Sequence, residues 1–241
     1  MSITDIGRAL GLHKSTVHRL LNSLLERGYV EKGVDSRSYR LGPGFIRISS
    51  SYLNSIELKT EAEPHMMELS RLLGQTIFLA VRQGSEVVYI DKVEQSTSLR
   101  RYAIIGRRSP LYCTSLGKAL LLDSSDDRIR ELLGGVPFVR KTRHTLPDLN
   151  ALLDDLAQAR MRGWSSDDQE NEAGVQCIGA PIYDYRGKIM AAISTAWNIG
   201  YSSRCFEDIT GPMLKTAGAI SQRLGYFIKA SVTERAGAEI V

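Results

Sequence analysis

Apolar positions in the first 27 residues recur at the spacing of a helix. Ile3, Ile6 and Leu10 fall on one face of a short first segment. Val17, Leu20, Leu21, Leu24 and Leu25 form a second stripe at i, i+3, i+4, i+7 and i+8. Ser2 with Asp5 reads as a capping box that opens the first helix. Gly11 stops it, since glycine enters the left-handed C′ conformation without steric cost. The face opposite the second stripe carries Lys14, Ser15, Thr16, His18, Arg19, Asn22 and Ser23, with no acidic group before Glu26. Helix, glycine turn and helix with a cationic outer face is the layout of a helix-turn-helix, which lays its second helix in a DNA major groove. A helical hairpin whose polar face is merely solvated has the same pattern.

The next stretch favours the first reading. Gly28 ends the second helix, Tyr29-Val30-Glu31 starts a strand, Val34-Asp35-Ser36-Arg37 turns, and Ser38-Tyr39-Arg40-Leu41 returns. A hairpin directly behind a recognition helix is a wing, and Arg37 and Arg40 on it suit phosphate contact, with Tyr39 beside them. A winged module ordinarily has a further helix packed across these two. Met1 falls where that helix should have finished, so the expectation is a truncated start or an incomplete module.

After Gly42-Pro43-Gly44, residues 45–73 read as helix in two pieces bent near Pro64, the first a linker helix. From Thr76 the period changes to two. Residues 76–81 and 86–93 read as strands around Gln83-Gly84-Ser85, and 99–105 as a third. Residues 109–114 read as an irregular approach to a helix over 115–122. Helices follow near 126–133 and 148–162, then an acidic loop over 165–174. Strands over 175–183 and 189–196 flank Tyr185-Arg186-Gly187, and 206–228 is a closing amphipathic helix. The expected fold is α+β: a winged helix-turn-helix (1–42), a linker helix (43–58), a second module (59–228) with an antiparallel sheet of five or six strands and flanking helices, and a tail (229–241).

Charge sharpens the first assignment. Of a formal +4, the whole excess lies in residues 1–47, with eight Lys/Arg against four Asp/Glu; the remainder holds 23 of each. Clustered positive charge is the footprint of a polyanion partner, bound in a salt-dependent way. Hydrophobic content of 43% allows a sizeable core. Cys113, Cys177 and Cys205 are odd in number, far apart and without CxxC spacing, which points to reduced thiols in a cytoplasm. No apolar run is long enough to span a membrane, and no signal peptide is visible.

In the second module Thr114-Ser115-Leu116-Gly117-Lys118 opens a helix, where free N–H groups would receive a carboxylate. Gly117 lets backbone or ligand approach closely. An ordinary N-cap by Thr114 or Ser115 is the competing reading. Arg101 would offer an acid a cation, or is simply a surface arginine. Asp167-Asp168-Glu170-Glu172 lacks the glycine of a calcium loop, and His65 and His144 lack partner spacing, so no metal or other cofactor is expected. Cys113 or Cys177 with His144 as base would make an enzyme of the module, without a supporting local motif. A pure dimerisation module is the third class.

Five stretches occur together in order: GLHKSTVHRLLNSLLERGYV, the wing ending SYRLG, IGRRSPLYCTSLGKALL, DDQENEAGVQCIGAPIYD and AAIST. Through them residues 2–228 resemble the IclR family of bacterial transcription regulators. IGRRSPLY and the closing LGYF look most like members governing sugar-acid catabolism, such as regulators of 2-keto-3-deoxygluconate pathways. The resemblance implies a winged helix-turn-helix, a linker helix and a GAF-like effector domain, working as dimers, often paired as tetramers, on palindromic operators in double-stranded DNA. It implies a pocket lined by Ser115, Leu116, Asp167, Cys177, Ser194 and Ala196. Asp167 would accept from a hydroxyl, Ser194 would donate to a carboxylate, and Cys177 would form the floor. Ser115-Leu116 stands where some members have smaller residues and Ala196 where they have serine, which bears on ligand size and one hydrogen bond. The expected effector is a small oxo- or hydroxy-carboxylic acid. At the DNA, Arg19 would read guanine, Asn22 adenine if it reaches, and Lys14, Arg37 and Arg40 would meet phosphate.

Overall fold

The structure, a computed structural model, describes residues 1–33, 38–47, 57–94, 105–199 and 206–226. The chain divides into two compact units, Met1–Ile56 and Glu57–Val241.

In the first unit, helix α1 (Ile3–Leu10) opens on the expected capping box: Asp5 N–H donates to Ser2 Oγ and Ser2 N–H to the Asp5 carboxylate. Gly11 closes it at φ 63°. Helix α2 (Lys14–Glu26) follows, with His13 as its N-cap. Strands β1 (Val30–Lys32) and β2 (Tyr39–Leu41) pair antiparallel with Val30 opposite Leu41. Val17, Leu21 and Val30 form the core, with Ile3, Ile6 and Tyr39 packed on it. Leu10, Leu20 and Leu24, expected on the buried stripes, are instead 62%, 50% and 37% exposed. So small a core covers one side of each stripe. On α2, Leu21 lies to one side of Val17 and Leu20 and Leu24 to the other, and the covered side is that of Leu21.

In the second unit, helix α3 (Glu57–Leu73) is continuous through Pro64 rather than bent there. A proline inside a helix costs about 3 kcal/mol. Pro64 lies on the exposed face, and the opposite face buries Leu58, Ala62, Met66, Leu69 and Leu73. Burial of the large side chains, at about 1.5–3 kcal/mol each, outweighs the lost hydrogen bond.

The sheet comprises β3 (Ile77–Gln83), β4 (Glu86–Val93), β5 (Arg108–Pro110), β6 (Ser165–Asp168), β7 (Val175–Tyr183) and β8 (Ile189–Asn198). Among the described residues its order is β5-β4-β3-β8-β7-β6, every neighbouring pair antiparallel. The strand expected over 99–105 lies outside the described residues except for Ile105, which is in a turn. The edge strand there is Arg108–Pro110, part of which had read as an irregular approach. The stretch 165–174, expected as a loop, begins with strand β6, whose Ser165 and Asp167 point inward and Ser166 and Asp168 outward. Neighbour β7 supplies the backbone pairing that the polar side chains do not promote.

Helices α4 (Ser115–Ala119), α5 (Asp126–Leu133) and α6 (Leu149–Arg162) cover one sheet face, and α3 and α7 (Phe206–Arg223) the other. Alternation along each strand separates the faces. Phe78, Ala80 and Ala192 join the core under α4–α6, whereas Trp197 meets Phe206 of α7 edge to face. Among the described residues no helix is long and apolar enough to cross a membrane.

Candidate functional site

In the first unit, Lys14, Ser15, His18, Arg19 and Asn22 are exposed along α2, and Thr16 is half-buried. Ser15 N–H donates to His13 Nδ1, so a histidine supplies the cap that a serine or aspartate usually would. Asn22 Nδ2 lies 3.3 Å from His18 Nδ1. Arg40 is paired across the wing with Glu31, 2.9 Å away, and stays exposed. Tyr39 is half-buried on the core. Arg37 lies outside the described residues. The outer face of α2 is thus cationic and free of carboxylates up to Glu26 at its C-terminal end, as a polyanion requires.

The second unit holds a cavity of about 310 Å³ between the sheet and α4. Its floor is a patch of one sheet face. Asp167, Cys177 and Ala196 are register partners across β6, β7 and β8, and Ser194 pairs with Phe78 across β8 and β3. Tyr89, Arg107 and Ser109 line it from the β4–β5 side, Thr114, Ser115 and Leu116 from α4, and Asn171, Glu172 and Val175 from the loop after β6.

Two glycines seat α4 over this floor. A Cβ at Gly179 would collide with Ser115 O, and Ser165 Oγ would stand 2.8 Å away. Ser165 Oγ donates to Ser115 O at 2.6 Å, so the helix start is bonded down onto β6 as well. Gly117 is not on the lining; a Cβ there would strike the backbone of Leu111, so its openness serves backbone packing. Thr114 caps the helix, accepting from Gly117 N–H at 3.1 Å. Gly179→Ala should lower stability by about 1–3 kcal/mol, the usual cost of overpacking. Urea unfolding followed by tryptophan fluorescence checks this, since Trp164 and Trp197 both lie in the second unit.

The buried acid of the cavity is Asp167, 3% exposed. Its Oδ1 accepts from Glu170 N–H (2.7 Å) and Asn171 N–H (3.3 Å), which folds the loop back over the cavity. Gln169 within that loop has φ 62°, a left-handed conformation uncommon outside glycine. Burial, and secondarily the nearby Glu170, push the Asp167 carboxyl up to about 7, against the pull of the two N–H bonds. Behind the loop, Lys118 is fully buried on α4 and pairs with Glu170 (2.7 Å) and Asp155 (3.0 Å). Burial raises the Glu170 carboxyl and Lys118 opposes that rise. Thr145 and Thr142 donate to Glu170 O and Gln169 O, so the loop is held from a third side.

Residues 50–222 match the family described as bacterial transcriptional regulator IclR C-terminal, and residues 1–33 match the IclR helix-turn-helix domain. The chain belongs to the IclR family. It is 35% identical to the HTH-type transcriptional regulator XynR of Escherichia coli K12 over 94% of this chain and 90% of that protein. With the transcriptional regulator KdgR of the same organism it shares 34%, over 94% and 86%. An IclR homologue from Microbacterium hydrocarbonoxydans, solved with 4-hydroxybenzoate, superposes with a TM-score of 0.80 at 27% identity, covering 93% of this chain and 91% of that one.

The protein is therefore an IclR-type regulator that binds DNA through its helix-turn-helix and responds to a small molecule in its C-terminal domain. The family is one of regulators, not enzymes, and the thiol chemistry agrees. Burial pushes the Cys113 thiol up to about 12, the reverse of what a nucleophile needs. His144 is exposed and accepts from Arg143.

Of the effector residues expected for an IclR domain, Ser115, Leu116, Asp167, Cys177, Ser194 and Ala196 come together on the cavity wall. Arg101 lies outside the described residues. Phe78, Tyr89 and Arg107 also line the cavity and carried no expectation, and Glu172, weighed only as part of the acidic run, lines it too. Arg107 lies within a recognised stretch, IGRRSPLY, in which neither Arg107 nor Arg108 had an assigned use.

Proposed function

We propose that this regulator governs a catabolic operon and that its effector is a small oxo- or hydroxy-carboxylic acid, of the size of a sugar acid, held in the cavity between the sheet and α4. The cavity's mix of one cation, several hydroxyls and two carboxylates, of which Asp167 is the buried one, carries this proposal. Its volume suits a small metabolite. The homologue solved with 4-hydroxybenzoate holds a compound of the same chemical class, a carboxylate bearing a hydroxyl. Ser115, Leu116, Asp167, Cys177, Ser194 and Ala196 contact the effector in this proposal. Gly117 acts through the seat of α4.

Lys14, Ser15, Thr16, His18 and Arg19 face the major groove, with Asn22, Tyr39 and Arg40 at its margin. Residues 1–42 bind DNA, 43–58 link, and 59–228 sense, in a cytoplasmic protein that works as a dimer or paired dimers. A two-fold dimer matches palindromic half-sites. The effector acts by binding one dimer arrangement better than another, which changes the spacing of the recognition helices.

Calorimetry of the full chain against a panel of sugar acids tests the effector class. Heat of binding with a carboxylate, absent with its neutral counterpart, is expected. Binding only of neutral or purely aromatic compounds overturns it. At the DNA, Arg19→Ala should cost about 1–3 kcal/mol on the operator and much less on scrambled duplex. Equal losses, read by fluorescence anisotropy, would remove Arg19 from base reading.

A further inference from the structure

Past the far end of α4 a second concavity opens on the same sheet face, a cleft of about 500 Å³. Stretches distant in sequence meet there: Arg82 near the end of β3, Leu120 and Asp123 just after α4, Arg128 on α5, and Lys188 and Ile189 at the turn into β8. Strand alternation places Arg82. Phe78 and Ala80 lie in the core under α4–α6, and Arg82, next on that face, emerges where α4 has ended. The effector cavity uses the opposite ends of β3, β8 and α4, through Phe78, Ala196 and Ser115, and shares no lining residue with the cleft.

The cleft gathers three cations, Arg82, Arg128 and Lys188, against one carboxylate, Asp123. All four are exposed. Arg82 donates to Gly84 O at 3.2 Å, and neither it nor Lys188 is in an ion pair among the described residues. Arg128 pairs with Glu131 along α5 at 2.8 Å, with the two side chains 61% and 67% exposed. A surface pair of that kind is weakly held and yields to a better acceptor. Acids nearby are committed: Asp126 to Arg160 at 2.8 Å, Asp184 to Arg186 at 2.8 Å, and one Asp123 oxygen to Ile189 N–H at 2.9 Å. Asp127, exposed on α5, is not on the lining. Three like charges on one concavity repel one another and focus a field that draws in an anion.

We propose that this cleft is a second ligand site, which takes the phosphate group of a small phosphomonoester. Three cations less one carboxylate leave two positive charges, and such a group carries about two negative charges at neutral pH. Two guanidinium forks and an ammonium supply donors for its three terminal oxygens. A singly charged carboxylate would leave the cleft half compensated. The site is independent of the carboxylic-acid effector proposed above. It gives the regulator a second chemical input, at the other end of the helix that covers the effector cavity.

The experiment is calorimetry of the full chain at about pH 7.5 and low salt, with inorganic phosphate, glycerol 3-phosphate, ribose 5-phosphate and glucose 6-phosphate, each ester beside its unphosphorylated parent. At least one ester should bind where its parent does not. R82Q/K188Q should weaken that ester about tenfold or more, the loss expected when two charge-assisted contacts go. Both side chains are exposed and off the core, so the double variant should melt with the parent; should it melt early, R128Q, expected to weaken the ester severalfold, decides in its place. Fluorescence anisotropy with a random duplex separates this ligand from a nucleic-acid backbone: the double variant should bind the duplex as tightly as the parent. Ester affinity unchanged in the deciding variant, equal binding of ester and parent, or no binding by any phosphate compound overturns the site and leaves the effector proposal standing. A double variant that loses duplex affinity while no ester binds overturns it too, and assigns the cations to DNA.

Discussion

Replacing Lys118 by methionine should destabilise the effector unit by about 3–5 kcal/mol at neutral pH, the cost of removing one partner from a buried ion pair. Lys118 is fully buried and is the common partner of Glu170 and Asp155. Methionine keeps the side chain's bulk and removes its charge, leaving two carboxylates facing each other near one buried Glu170 oxygen that already lacks a hydrogen bond. The loss should shrink as pH falls. Burial already raises the Glu170 carboxyl and Lys118 is what opposes the rise, so without it Glu170 takes up a proton more readily in the fold. Urea unfolding read by tryptophan fluorescence from pH 5 to pH 8 measures this. A loss below 1 kcal/mol, or one independent of pH, would show that Lys118 does not hold the loop.

Asp167→Asn should act in the opposite direction. A carboxyl raised from 3.8 to about 7 on folding keeps its proton in the fold while the unfolded chain has lost it. Its penalty is absent below the unfolded value, grows between about 4 and 7, and is complete above the folded value. At 1.36 kcal/mol per pH unit the full penalty is on the order of 4 kcal/mol. Asparagine keeps the oxygen that accepts Glu170 N–H and Asn171 N–H and carries no charge. The variant should therefore gain about 2–4 kcal/mol at pH 8 and almost nothing at pH 4. A residue that costs stability at working pH, in a cavity wall, is one whose worth lies in what it binds. A variant no more stable than the parent at pH 8 would place Asp167's titration elsewhere.

The N-terminal module was legible because it is built from local signals. The two helices, the Ser2–Asp5 cap, Gly11 and the hairpin after Gly28 are each specified within a few residues and lie where the pattern put them, although the core covers only one side of the apolar stripe. Strands β4 and β7 and helices α5 and α6 were equally plain, from period and caps. Strand β6 was hidden because Ser165-Ser166-Asp167-Asp168 has no β-branched or aromatic residue; partner β7 makes it a strand. Pro64 misled because a proline signal is local and the packing that overrides it is not. The pocket residues could be named from family resemblance, yet their polarity could not. Arg107, just before β5, and Asp167, on β6, are brought to one cavity from the two edges of the sheet by strand order, which periodicity does not encode. The same holds for Lys118, whose partner Glu170 is 52 residues away.

One measurement bears most directly on the assignment as a gene regulator: selection of bound sites from a pool of randomised DNA duplexes by the full chain. An inverted repeat should emerge, its half-sites centred about one helical turn apart or a multiple of it, with affinity falling steeply as salt rises. Recovery of no preferred sequence, or of sites that the Arg19→Ala variant binds as tightly as the parent, would contradict a groove-reading role for α2.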